Sequence, residues 1–172
     1  MTKTCRAAQA GMTLIEVLIS VLILAIGLLG AAAIQLNALK YTDSAAMTSQ
    51  ASFIAYDMMD RIRANVIGNA TSNGTANVLA SYGLSSLSAA PAPGNDARSR
   101  DLSDFRENVT GFAGTDGAQS KIAINGQEVT ITIYWNDRRA QQPEDLASGA
   151  TPAAAAARSF VLTSRIGVGV TP

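Results

Sequence analysis

Glu16 stands at the mouth of an apolar run, in the stretch AAQAGMTLIEVLISVLILAIGLLGAAA over residues 7–33. A carboxylate beside hydrocarbon is costly and seeks a cation or a donor, so the chemistry it offers is pairing with an amine. The rest of the chain offers little that reacts. Histidine is absent and Cys5 is the single cysteine, which removes the usual general base, an intramolecular disulfide and any Cys/His zinc cluster. The sequence contains no Gly-x-Ser-x-Gly elbow and no glycine-rich phosphate loop ending in Lys-Ser/Thr. Asp101, Asp104, Glu107, Asp116, Glu144 and Asp145 could gather around calcium, but their spacing fits no EF-hand, and dispersed surface charge is the preferred reading. Arg138-Arg139 solubilises a loop more naturally than it grips DNA, and a net charge of zero supplies no basic stripe for nucleic acid. A non-enzymatic role is expected, with no catalytic residues, no metal and no cofactor.

The element that positions Glu16 is long and greasy. Overall, 48% of residues are hydrophobic and 15% charged, an ordinary average, but the long aliphatic side chains concentrate in the first 35 residues. Val17 to Leu39 is free of charge; as a helix it spans roughly 35 Å at 1.5 Å per residue, enough for a hydrocarbon core of about 30 Å. Lys3 and Arg6 precede the run, which places the N-terminus in the cytoplasm. Three readings compete. A secretory signal peptide fits the basic start and the small residues Ala31-Ala32-Ala33, but has no use for Glu16. A plain anchor, carrying a periplasmic ligand-binding domain, uses Glu16 only to complement the helix macrodipole.

The third reading is more specific. Gly11-Met12-Thr13-Leu14-Ile15-Glu16 resembles the class III signal of type IV pilins and type II secretion pseudopilins. The resemblance implies that a prepilin peptidase cuts between Gly11 and Met12, removes residues 1–11 with Cys5, and methylates the new amine on Met12. Met12 replaces the phenylalanine usual in the family. Glu16 becomes the fifth residue of the mature chain, where the family's glutamate neutralises the terminal amine of an adjacent subunit. Leu14, Val17, Leu18, Val21 and Leu24 are then the residues that pack helix on helix in the filament core.

Helical periodicity continues beyond the apolar run. Leu36, Leu39, Met47, Ala51, Ile54, Met58 and Ile62 are spaced mainly by threes and fours, which predicts one helix from about Thr13 to Asn65 with no proline inside it. Ala33 stands where major pilins generally carry a kinking proline. Gly27 and Gly30 offer mild flexibility and a weak close-approach signal. The segment SQASFIAYDMMDRIRAN, residues 49–65, resembles the second half of the N-terminal helix in minor pilins of the PilV type. Read without that resemblance, its charges are solvated, with Asp57 and Arg61 in i, i+4 support.

Residues 66–120 are turn-rich and predict a long αβ-loop, with a helical turn near Leu84–Leu87 and a short helix over Leu102–Val109 capped by Asp101. In the region 121–172, KIAINGQEVTITIYW alternates apolar Val129, Ile131, Ile133 and Trp135 with polar residues around an Asn125-Gly126 hairpin turn. A third strand follows over Arg158–Val168, after an Ala/Pro-rich segment at about 140–157. Such a hairpin needs a backing, so three or four antiparallel strands are expected to pack on the helix. This gives an α+β fold with five regions: leader 1–11, apolar helix 12–39, amphipathic continuation 40–65, loop 66–120 and sheet 121–172.

The resemblance implies a subunit held in the bacterial inner membrane and then incorporated near the tip of a pilus. Its partners there would be other minor pilins, a tip adhesin, the major pilin, the prepilin peptidase and the inner-membrane assembly machinery, and its role would be to prime assembly for twitching motility and adhesion. A minor pseudopilin of type II secretion is the nearest rival.

Overall fold

The computed structural model describes residues 12–140, 149, 151, 154 and 156–167. The expected leader, with Cys5 and Gly11, lies outside these residues, as do Glu144, Asp145, Val168 and most of the Ala/Pro-rich segment. The element order is helix α1 (Leu14–Asn73), helix α2 (Thr75–Ser81), a 3-10 turn (Leu87–Ala89), helix α3 (Ala97–Ala113), a second 3-10 turn (Gly114–Gln119), strand β1 (Lys121–Asn125), strand β2 (Glu128–Asn136), a third 3-10 turn (Arg138–Ala140) and strand β3 (Ala157–Arg165). A long N-terminal helix with a small antiparallel sheet is the α+β, pilin-like arrangement.

The chain divides into two units, Met1–Lys40 and Tyr41–Pro172. In the first, the described residues form the apolar part of α1, and its large side chains are exposed, from Leu14 through Leu39. Leu36 and Leu39, the first two members of the periodic face, are exposed.

In the second unit α1 becomes amphipathic. Ala51, Ala55, Met58, Met59, Ile62 and Val66 are buried at helical spacing and share one core with Leu79, Tyr82, Leu102, Phe105, Val109 and the inner face of the sheet. The helix runs to Asn73 rather than ending near Asn65. Val66 continues the buried face one turn past Ile62, and the Asn69 side chain donates to the main-chain carbonyl of Asn65 at 3.0 Å. Tertiary burial thus outweighs the poor helix propensity of the asparagines. Gly74, with φ of 77°, ends α1 and opens α2.

The region 66–120 is more ordered than its composition suggests. Helix α2, unforeseen in the sequence, places Val78 and Leu79 in the core. Instead of a helical turn at Leu84–Leu87, Leu84 forms a bridge with Ile122 of β1, its N–H donating at 2.9 Å and its carbonyl accepting at 2.8 Å. The 3-10 turn follows, burying Leu87. Helix α3 begins at Ala97, with Asp96 as its cap rather than Asp101. The Asp96 carboxylate accepts from the Ser99 hydroxyl at 2.6 Å and from the Ser99 main-chain N–H at 2.9 Å. These bonds lower its pKa. Phe105 and Val109 are buried, as their four-residue spacing predicts.

The sheet has the order β1-β2-β3, antiparallel throughout. Val129, Ile131, Ile133 and Trp135 of the central strand face the core. Ile131 stands opposite Ile122 and Leu162, and Ile133 opposite Phe160. Trp135 meets Phe112 edge to face, with ring centroids 5.7 Å apart. The hairpin turn is shifted by one residue from its sequence signal. Asn125 pairs with Glu128 at the end of the ladder, so the two central residues are Gly126 and Gln127. Gly126 alone has positive φ, 61°, among the four turn residues. That is the pattern of a II′ turn rather than the I′ turn of a central Asn-Gly pair.

Candidate functional site

The first candidate is the N-terminal end of α1. Thr13 caps the helix: its carbonyl accepts from Glu16 N–H at 3.1 Å and Val17 N–H at 3.3 Å, and its hydroxyl accepts from Glu16 N–H at 3.3 Å. Threonine followed three residues later by glutamate is the residue pair of a capping box, here with the threonine half formed. The Ser20 hydroxyl donates to the Glu16 main-chain carbonyl at 2.7 Å. The Glu16 carboxylate itself has no ion-pair partner among the described residues. Leu14, Val17, Leu18, Val21 and Leu24, spaced by threes and fours along the same helix, are all exposed. Starting at Leu14, α1 contains a segment of mean hydropathy 2.8 that is long and apolar enough to cross a membrane. This surface presents a continuous apolar wall with one acid at its N-terminal rim.

The second candidate is the polar seam between α1 and α3. The Arg61 Nε donates to Asp57 at 2.9 Å, the i, i+4 pair expected from the sequence. Its Nη1 reaches Asp104 at 2.8 Å and Asp101 at 3.5 Å. Tyr82 adds to the seam: its hydroxyl donates to Asp101 at 2.7 Å and accepts from the Asn65 side chain at 2.6 Å. Burial, followed by the bond to the Asp101 carboxylate, raises the Tyr82 pKa. For Arg61, burial disfavours the charge, but the hydrogen bond to Asp104 and the field of Asp57 outweigh it, and the pKa rises. Arg63 pairs with Asp60 at 2.9 Å and donates to the Ser164 hydroxyl on β3 at 2.7 Å.

The charges of residues 57–63 are therefore not merely solvated; they clamp α1 to α3 and β3. The missed signal was the pair Asp101 and Asp104, which share a face once α3 is capped at Asp96 and begins at Ala97. Of the six carboxylates weighed for calcium, Asp101 and Asp104 meet a guanidinium instead. Among the described residues no three His, Cys, Asp or Glu converge in a way that could hold a metal. Arg139 pairs with Asp43 at 2.5 Å, tying the turn after β2 to α1.

Residues 6–32 match the family model described as the prokaryotic N-terminal methylation motif. No curated protein and no solved structure matches the chain. The matched segment contains Gly11, Met12 and Glu16 together with the first exposed turns of α1. A signal of this kind is processed by a prepilin peptidase and belongs to structural subunits rather than to enzymes. The likeness supports a membrane-anchored, type IV pilin-like protein.

Proposed function

We propose that the chain is a minor pilin of the PilV type, a structural subunit that helps prime pilus assembly at the tip and so supports twitching motility and adhesion. The observation that carries this reading is the methylation-motif match over residues 6–32, with Glu16 fifth from the Gly11–Met12 junction. Cleavage there frees an amine at Met12, and its methylation leaves that amine a cation at neutral pH. Glu16, with no ion-pair partner among the described residues, takes the Met12 amine of a neighbouring subunit as its counter-charge. Burial of such a pair costs desolvation comparable to its attraction, so its role is to set axial register and recruitment. Cohesion comes from the wall of Leu14, Val17, Leu18, Val21 and Leu24 as it exchanges lipid for neighbouring helices. Before assembly the subunit sits in the inner membrane with its N-terminus in the cytoplasm. Its partners are other minor pilins, the major pilin, a tip adhesin and the inner-membrane assembly machinery.

N-terminal mass spectrometry of the chain recovered from its own bacterium tests the processing step. A product that starts at methylated Met12 supports the reading; an intact Met1 replaces it with a plain anchor, and a start at Ile34 with ordinary secretion. Deletion of the gene separates the two filament systems: loss of surface pili is expected, and loss of enzyme secretion with pili intact assigns the chain to a pseudopilus.

A further inference from the structure

Where the end of α1, helix α2 and the start of α3 meet, the second unit holds an open, solvent-facing cavity of about 400 Å³. That lies within the range of about 300–1,000 Å³ typical of small-molecule clefts. One wall is a ladder of asparagines, Asn65, Asn69, Asn73 and Asn77, recurring every fourth residue across the α1–α2 junction. Asn69 donates to both oxygens of Asn65, side chain and main chain, and Asn77 donates to the Asn73 carbonyl at 3.0 Å. These bonds fix the donor ends of Asn69 and Asn77. Their side-chain oxygens, and the whole Asn73 carboxamide, have no hydrogen-bond partner among the described residues.

Asp96 and Arg98 stand at the same cavity. The Arg98 Nε donates to the Ser81 carbonyl at 2.5 Å, which holds the guanidinium in place and leaves its Nη atoms without a hydrogen-bond partner among the described residues. One acid and one base cancel, so the lining selects for a neutral ligand. A lone carboxylate already bonded to Ser99 is a poor cation site. Among the described residues no aromatic ring lines the cavity to stack a base. What remains is a surface of carboxamides, which donate and accept equally, beside small apolar contacts from Val78 and Ala97. Hydroxyl and acetamido groups have the same dual character, and sugar rings also carry apolar C–H faces. Asparagine is a poor helix former, and alanine, glutamate or lysine would have made this end of α1 more stable. Local stability is given up where the cavity is lined, as expected of a binding surface.

The geometry points to a binding site for a neutral saccharide of one or two units, held by the carboxamides of Asn69, Asn73 and Asn77 and by Arg98. The site lies wholly within residues 41–172 and does not rest on the pilin reading. The test uses the full chain in phosphatidylcholine nanodiscs, since sugar-headed detergents compete. Saturation-transfer NMR is run with N,N′-diacetylchitobiose and maltose at millimolar concentration, with tri-alanine as a peptide control. Transfer to at least one disaccharide is expected, with affinity about tenfold weaker in Asn73→Ala/Asn77→Ala. Both positions are exposed and alanine favours helix, so the variant keeps its fold, checked by unchanged Trp135 fluorescence. Absence of transfer to both disaccharides, equal transfer in the variant, or transfer to tri-alanine alone overturns the proposal.

Discussion

Arg61 on α1 donates to the Asp104 carboxylate on α3 at 2.8 Å, joining positions 43 residues apart in the chain. The Asp57 contact one turn earlier holds the guanidinium so that its far nitrogen reaches across the seam. A local helix pair of the kind worth only tenths of a kcal/mol by itself thus pre-orders a long-range one.

Removing that cation leaves Asp104 without its guanidinium and Asp101 with only the Tyr82 hydroxyl. Arg61 is only partly buried, so solvent screening limits the loss, and Arg61→Met is expected to cost about 1–2 kcal/mol. Urea unfolding followed by Trp135, the single tryptophan and a core residue, reads it. In a double-mutant cycle, Arg61→Met and Asp104→Asn should be non-additive. Strict additivity contradicts the clamp.

Tyr82 is fully buried, and its hydroxyl bonds both Asn65 and Asp101. Tyr82→Phe removes one bond from each partner and is expected to lose about 1–3 kcal/mol at neutral pH. The pH dependence has a definite sign. Folding raises the tyrosine pKa above its ordinary 10.0, so the unfolded chain ionises first. Stability from this group is complete below pH 10 and falls as pH rises through the folded pKa. Tyr82→Phe should flatten that alkaline decline in denaturation curves; an unchanged slope contradicts the assignment.

The shifted hairpin turn makes a contrast between neighbours. Gly126→Ala forces a side chain into positive φ and should cost about 1–2 kcal/mol. Asn125→Ala, at a position without positive φ, should change stability by less than about 0.5 kcal/mol. Thermal unfolding of the two variants decides it, and the reverse order restores the turn centred on Asn125-Gly126.

On the proposed pilin reading, Glu16→Ala should leave cleavage after Gly11 largely intact while weakening incorporation into the filament. Immunoblots of sheared pili and of whole cells measure the two steps separately. Equal recovery of mutant and native protein in the sheared fraction removes the ion-pair role.

Much of the fold was legible because it depends on periodicity. The apolar run, the continuing stripe of Ala51, Met58 and Ile62, and the alternation of Val129, Ile131, Ile133 and Trp135 each report which face is buried. The region between them was not legible. Helix α2 has a single turn's worth of apolar residues, and α3 carries more polar than apolar positions, so both are held by contacts remote in sequence. The start of α3 turned on which of two aspartates caps it. Asp96 wins because Ser99 offers it two donors, which frees Asp101 to meet Tyr82 and Arg61. That single displacement hid the seam. At the α1 N-terminus the residues were legible in order and spacing, and Glu16 has no ion-pair partner among the described residues.

The bridge from Leu84 to Ile122 reaches beyond local architecture. A three-stranded sheet has two open margins, and proteins crowded side by side on one surface are at risk of zipping those margins together into fibrils. Leu84 occupies the main-chain groups of Ile122 on one margin. The loop before α3 thereby covers that margin at Ile122, where no further strand can pair.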